Sequence, residues 1–227
     1  PTADGNVFPG APTYNPGGEN VAKGRIYLLE RDPAADRYVG ARLVAAAETG
    51  DLATRDPEIG RGVAVGALAG GPADDFAWVS GVSVTASLDG LTARTPRFIG
   101  GTVAMPGDCN IEVEGVFTPS QFEYTKVGNA RGLVIGDLLK EPVGAARGEI
   151  AVGIPKSAGN GAVAILQAVE ATPPAVGFEL KCVMVLKQAP AGHGFSLATG
   201  DVNGDGNTDL VVGAPPNAAY VYLGPLD

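Results

Sequence analysis

Histidine and tryptophan each occur once in this chain, and cysteine and methionine twice each. Each scarcity excludes something. Around the single histidine, His193, no Ser–His or Cys–His system stands out, so nucleophilic catalysis finds no obvious machinery. His193 sits beside Gly194 and reads as a turn residue. Cys109 and Cys182 offer no zinc spacing; they suit either one disulfide in an oxidising compartment or two buried free thiols. No run of 18 apolar residues is present, so no helix of the membrane-spanning kind is expected. Positive charge is short as well. Sixteen Lys and Arg face 25 Asp and Glu, a formal charge of −9, and such a surface repels phosphate backbones. Helix signals are nearly missing. Residues 37–48 contain helix formers, but Tyr38, Val39 and Gly40 open the segment poorly. The sequence begins at Pro1 with neither methionine nor signal peptide, which reads as a mature or excised chain.

What is abundant is glycine, with 34, and proline, with 18, in a chain that is 45 % hydrophobic and only 18 % charged. That hydrophobic content excludes intrinsic disorder. The glycines and prolines therefore mark turns between short apolar runs, the pattern of strands. The clearest runs are 24–29, 76–79, 109–117, 133–135, 150–152, 162–166, 180–186, 210–212 and 219–223. Several are apolar throughout, as in strands covered on both faces.

The chain also repeats itself. The template is its end, Phe195-Ser-Leu-Ala-Thr-Gly200-Asp201-Val-Asn203-Gly-Asp205-Gly-Asn-Thr-Asp209-Leu-Val-Val-Gly213-Ala-Pro215. Upstream, Arg61-Gly-Val-Ala-Val-Gly66 matches the first strand, and Asp75 follows Gly66 at the spacing that separates Asp209 from Gly200. Gly132-Leu-Val-Ile-Gly136 and Glu149-Ile-Ala-Val-Gly153-Ile-Pro155 form a third copy, with a loop four residues longer. Asn6-Val-Phe-Pro-Gly10-Ala-Pro12 matches the second strand at the chain start. The anchors Asn6, Asp75, Glu149 and Asp209 lie 69, 74 and 60 residues apart. After three of them another strand returns, at Gly24-Arg-Ile-Tyr-Leu, Gly161-Ala-Val-Ala-Ile and Ala219-Tyr-Val-Tyr-Leu. After Asp75 its counterpart is either 82–86 or 101–105. Repetition of about 60 residues in short strands predicts radial or linear stacking of small sheets in a single domain over 1–227, with repeats near 1–50, 51–127, 128–190 and 191–227.

The strongest chemical constellation is Asp201-Val-Asn203-Gly-Asp205-Gly206-Asn207-Thr-Asp209. Oxygen side chains fall at positions 1, 3, 5 and 9, and glycine at 6. Calcium takes six to eight hard oxygen ligands in flexible geometry. The spacing predicts a Ca²⁺ loop with ligands Asp201, Asn203, Asp205, Asp209 and the Asn207 carbonyl. Three carboxylates packed together would repel one another without a cation between them. Val212 at position 12 and the flanking strands exclude an EF-hand. The plainer alternative is a solvated Asx-rich turn.

On those residues the chain resembles the FG-GAP repeats of integrin α-chain β-propellers and their bacterial relatives. Gly194-Phe195-Ser196 opens the best copy, Gly213-Ala214-Pro215 ends its second strand, and Tyr220-Val221-Tyr222 follows. Gly10-Ala11-Pro12 and Gly24-Arg25-Ile26-Tyr27 repeat the later part. The resemblance implies an all-β protein of propeller blades, three full repeats and a truncated first one. It also implies structural calcium and a binding function, adhesion or protein–protein recognition at a cell surface or outside the cell, with no catalysis. Copy two has Ala67, Ala69 and Gly71 where copy four has its ligands, so it should bind no calcium. Copy three keeps Asp137 and Glu149, and its insertion adds only Glu141. A small propeller, a fragment of a larger one, and a propeller completed by a partner chain all fit. An open sheet edge invites such pairing. The rival functions are a structural subunit of an extracellular assembly and a carbohydrate-binding or accessory domain of a secreted enzyme.

The remaining candidates carry less. Asp74 and Asp75 are adjacent, and a strand points neighbours to opposite faces. Trp78 reads as core before sugar platform. Cys109 and Cys182 fall on the expected fourth-strand regions of copies two and three. Arg147-Gly148-Glu149 is not credited as an adhesion tripeptide. Residues 82–126, with Asp108, Glu112, Glu114, Phe117, Phe122 and Tyr124, are the least repetitive and would hold any surface peculiar to this protein.

Overall fold

The computed structural model describes Val7, 9–11, 24–46, Gly60, 62–68, 75–79, 84–88, 91–94, 102–104, 110–112, 132–140, 148–155, 161–170, 178–187 and 192–227. Every element over these residues is a β-strand, and every paired strand is antiparallel to its neighbour. Among the described residues no helix is long and apolar enough to cross a membrane.

Four sheets follow one another along the chain, each in sequential strand order. Sheet one contains β1 (Gly10–Ala11), β2 (Arg25–Asp32) and β3 (Arg37–Ala46). Sheet two contains β4 (Gly62–Gly66), β5 (Asp75–Val79), β6 (Val84–Leu88) and β7 (Leu91–Arg94). The short pair β8 (Thr102–Ala104) and β9 (Asn110–Glu112) stands apart. Sheet three contains β10 (Leu133–Gly136), β11 (Glu149–Ile154), β12 (Ala162–Glu170) and β13 (Phe178–Lys187). Sheet four contains β14 (Ser196–Gly200), β15 (Asp209–Ala214) and β16 (Ala218–Tyr222). Small antiparallel meanders of this kind are propeller-like blades.

The strand registers reproduce the repeat alignment residue by residue. Gly66 lies opposite Asp75, Gly136 opposite Glu149 and Gly200 opposite Asp209. The third strand is aligned too, with Gly10 opposite Ile26, Gly153 opposite Val163 and Gly213 opposite Ala219. The ambiguous third strand of blade two is Val84–Leu88. Blade one has no first strand and blade four no fourth among the described residues. Residues 37–46, where helix formers gather, are the strand β3. Its hairpin with β2 turns on Asp32, whose Oδ1 accepts the Ala34 and Ala35 amides at 2.9 and 3.2 Å. Pairing along eight residues of β2 overrides a weak helical preference.

The blades pack face to face. Innermost strands β4, β10 and β14 lie in series. Between blades one and two, Ile26 and Trp78 are buried with Val63 and Phe76 against them. Between blades three and four the core is larger: Ala151, Val163 and Ile165 meet Leu210 and Val212, with Tyr220 and Tyr222 alongside. β11 is buried at all six positions, which explains why every residue after Glu149 in it is apolar.

Glycine sets how closely blades approach. A Cβ on Gly153 would fall inside the Gly194 backbone, which opens blade four at φ +90°, and a Cβ on Gly10 would fall inside the Gly60 backbone, at φ +92°. The glycine ending one blade's second strand thus touches the glycine opening the next blade. Gly153→Val should cost about 1–3 kcal/mol or more in chemical denaturation, because a backbone neighbour cannot turn aside. Gly200→Ala, where nothing lies within 4 Å of the added Cβ, should stay within about 0.5 kcal/mol of wild type. Equal effects of the two substitutions would contradict the close-approach account.

Candidate metal centre

The loop 201–209 connects β14 to β15 and is wound by its own side chains. Asp201 Oδ1 accepts the amides of Gly204 and Asp205, at 2.6 and 3.2 Å, and its Oδ2 accepts that of Gly206 at 2.9 Å. Asn203 Oδ1 accepts the Asp205 amide at 2.9 Å. Asp205 Oδ1 accepts the Asn207 amide at 2.8 Å, and its Oδ2 accepts from Asn203 Nδ2 at 2.8 Å. Gly204 and Gly206 turn the chain at φ +77° and +88°, where any other residue would be strained. The Asn207 amide first, then the Asn203 side chain, hold the Asp205 carboxyl below its usual range, so it is ionised at neutral pH. Residues 201–207 are all exposed.

Asp209 is placed differently. It is fully buried, its Oδ2 accepting the Val202 amide and its Oδ1 the Gly224 amide, each at 2.8 Å. The five expected ligands therefore divide into four exposed loop residues and one buried carboxylate. Among the described residues, no three His, Cys, Asp or Glu side chains gather as a metal-holding group. Backbone amides answer each of the three carboxylates.

The same buried carboxylate recurs where the other loop ligands are lacking. Asp75 is 3 % exposed and accepts the Leu68 amide at 2.9 Å. Glu149 is 0 % exposed and accepts the amides of Leu138 and Leu139 at 2.8 and 3.2 Å. In all three blades the donor lies two residues beyond the glycine ending the first strand. Blade three carries the longer acid where its loop is four residues longer, and its Oε2 also reaches the next amide. The sequence reading makes Asp209 a metal ligand, and these hydrogen bonds give the same position a second, structural role. The signal for the other role was present, since Asp75 and Glu149 persist in copies without the remaining ligands.

His193 is no surface turn residue. It is fully buried in the link between β13 and β14, its backbone bridged to Gly161 of blade three. Its Nε2 lies 2.9 Å from the Tyr222 hydroxyl, the Tyr220 and Tyr222 rings meet it edge-on, and Nδ1 has no partner. Burial lowers its pKa below the ordinary 6.5. Trp78 is 8 % exposed and stacks on Phe76 at 5.3 Å, so it forms no sugar platform. Cys182, in the fourth strand of blade three, is disulfide-bonded. Cys109 lies outside the described residues. The fourth strand of blade two is Leu91–Arg94, reached directly from β6. Asp74, Asp108, Glu114, Phe117, Phe122, Tyr124, Glu141 and Arg147 also lie outside the described residues.

Residues 193–223 match the FG-GAP repeat family. The chain carries an FG-GAP repeat. No curated protein matches it. The matched span runs from His193 through the 201–209 loop and Gly213-Ala214-Pro215 to Leu223, so the FG-GAP repeat here coincides with blade four.

Two outcomes follow from this geometry. Glu149→Ala should destabilise the chain by about 1–3 kcal/mol for each amide left unpaired, and Glu149→Gln by less because its amide oxygen still accepts. Both losses should persist in a chelator; a loss that vanishes there would refute a metal-independent role. His193 binds a proton more readily when unfolded, so stability is full above about pH 6.5 and declines as pH falls below it. The thermal midpoint should fall between about pH 7.5 and pH 5.5, and His193→Gln should flatten that decline. An unchanged slope in the variant would show that other groups govern it.

Proposed function

We propose that this protein is a calcium-binding FG-GAP module of propeller blades that recognises protein partners outside the cell or at its surface, without catalytic activity. FG-GAP repeats occur mostly in extracellular or secreted proteins and generally serve as non-enzymatic interaction modules. The observation that supports calcium is the winding of residues 201–207, in which alternate side chains Asp201, Asn203 and Asp205 each gather a later amide of the same loop. Asp201, Asn203, Asp205 and Asp209 would hold the ion through side chains and Asn207 through its carbonyl, with Asp209 also bracing the loop base. Calcium would add cross-links to a loop already shaped for hard oxygen chemistry. Its role is structural, since the loop ties two strands of one blade.

Extracellular modules bind calcium at roughly 10⁻⁴–10⁻³ M, so millimolar calcium outside the cell keeps such a site filled. Titration calorimetry should find one calcium per chain. At tenfold excess over Kd, binding adds about 1.4 kcal/mol of stability. Asp205→Ala and Asp201→Ala should each weaken binding about tenfold or more, because each removes a first-contact oxygen. No uptake at millimolar calcium would remove the calcium half of this reading and leave the interaction half to be tested by partner capture. A second reading, a structural subunit completed by a partner chain, is favoured by one observation: the outer row of blade four is apolar and uncovered, with Val221 52 % and Leu223 56 % exposed.

A further inference from the structure

Nine asparagines lie along the chain, and two of them, Asn160 and Asn203, precede glycine. The backbone nitrogen after an asparagine is placed to attack that residue's side-chain carbonyl carbon and close a cyclic imide. Two obstacles ordinarily prevent this. A side chain on the following residue crowds the ring. The peptide nitrogen is also a poor nucleophile while its lone pair is shared with the carbonyl and its proton is in place. Glycine removes the first obstacle.

The 201–209 loop addresses the second at Asn203. The Gly204 amide donates to Asp201 Oδ1 at 2.6 Å. A general base must lie within about 2.6–3.2 Å of the atom it deprotonates. That proton lies in the peptide plane, whereas the nitrogen attacks through the orbital perpendicular to it, so Asp201 leaves the path to Asn203 open. Asn203 Oδ1 accepts the Asp205 amide at 2.9 Å, a donor aimed at the oxygen on which negative charge develops. Nothing lies within 4 Å of the place a Cβ would occupy on Gly204, and Asn203 and Gly204 are both exposed. Among the described residues no other asparagine combines these features. Asn207 and Asn217 are equally exposed, but β-branched Thr208 follows one and Ala218 the other. Asn160 lies outside the described residues; Gly161, which follows it, is buried and bridged to His193.

We propose that Asn203-Gly204 is a self-modifying site, at which the loop converts its own asparagine to aspartate and isoaspartate. Asp201 takes the Gly204 proton as the nitrogen attacks Asn203 Cγ. The N–Cγ bond forms and the Cγ–Nδ2 bond breaks; Nδ2 receives the proton and leaves as ammonia. Water then opens the imide at either carbonyl, and nothing is oxidised or reduced. Both products lose the Nδ2 donor that now bonds Asp205 Oδ2 at 2.8 Å, and both add a carboxylate beside Asp201 and Asp205. In isoaspartate the main chain also runs through the former side-chain carbons, which breaks the alternation of the loop's oxygens. None of this rests on calcium, so the test is made in its absence.

The test is to hold the whole chain in chelator near neutral pH for weeks and map its peptides by fragmentation mass spectrometry, with isoaspartate scored by enzymatic methylation. Asn203 should gain about 1 Da, as an amide NH₂ gives way to oxygen, sooner than Asn160, Asn207 or Asn217. Asp201→Asn keeps an acceptor beside the Gly204 amide but is no base, and should slow conversion about tenfold or more. Asp201 is exposed, so that variant should keep the strand signature in circular dichroism. An Asn203 that stays intact, one that converts no faster than Asn160, or a rate indifferent to Asp201→Asn would each overturn the proposal.

Discussion

Each complete blade depends on one interaction, a buried carboxylate at the start of its second strand that accepts a backbone amide from the preceding loop. Asp75, Glu149 and Asp209 occupy this place in blades two, three and four. A hairpin loop leaves amides turned inward where no strand can pair them, and a buried unpaired amide costs about 1–3 kcal/mol. A neutral acceptor would serve. An ionised one binds more strongly, because hydrogen bonds to charged groups contribute about 1.5–3 kcal/mol. Burying the carboxyl is tolerated because donors surround it: Asp209 has one donor on each oxygen, and Glu149 has two on Oε2 with Gln167 near Oε1.

This constraint changes how the 201–209 loop is understood. Its last acid belongs to the blade and not to the loop alone. With Asp209 holding both Val202 and Gly224, the two strand ends and the chain beyond β16 are fixed together. The tail then continues to Leu226, whose amide bonds the Leu138 carbonyl of blade three at 2.7 Å. Loop winding, strand pairing and the blade junction are therefore mechanically joined. Whatever binds the exposed oxygens of Asp201, Asn203 and Asp205 acts on a loop whose base is already anchored.

The junctions rely on the lack of a side chain at the glycine contacts and on aromatic packing farther out. Gly153 against Gly194 lets two backbones touch, and His193, one residue earlier, fills the space between blade three and the Tyr220 and Tyr222 rings. Trp78 and Phe76 do comparable packing between blades one and two. The motif glycines are thus inter-blade contacts, which explains why they sit at the ends of strands and not in turns alone.

Much of this was legible in the sequence. The repeat anchors and the short apolar strands follow from pattern and spacing, because strand period and turn residues are local properties. The 201–209 loop was legible for the same reason: its glycines and alternate oxygens lie within nine residues. What spacing could not decide was direction and depth. Asp201 and Asp209 look alike as letters, yet one is exposed and the other fully buried, since burial depends on a tail fifteen residues away. His193 read as a turn and proved to be a buried link, because Gly161 and Tyr222 reach it only in three dimensions. Residues 37–46 were drawn into a strand by β2. The sequence by itself determined which segments are strands and where the blades repeat. Only the tertiary structure decided which carboxylates are buried, because burial is set by contacts between residues far apart in the chain.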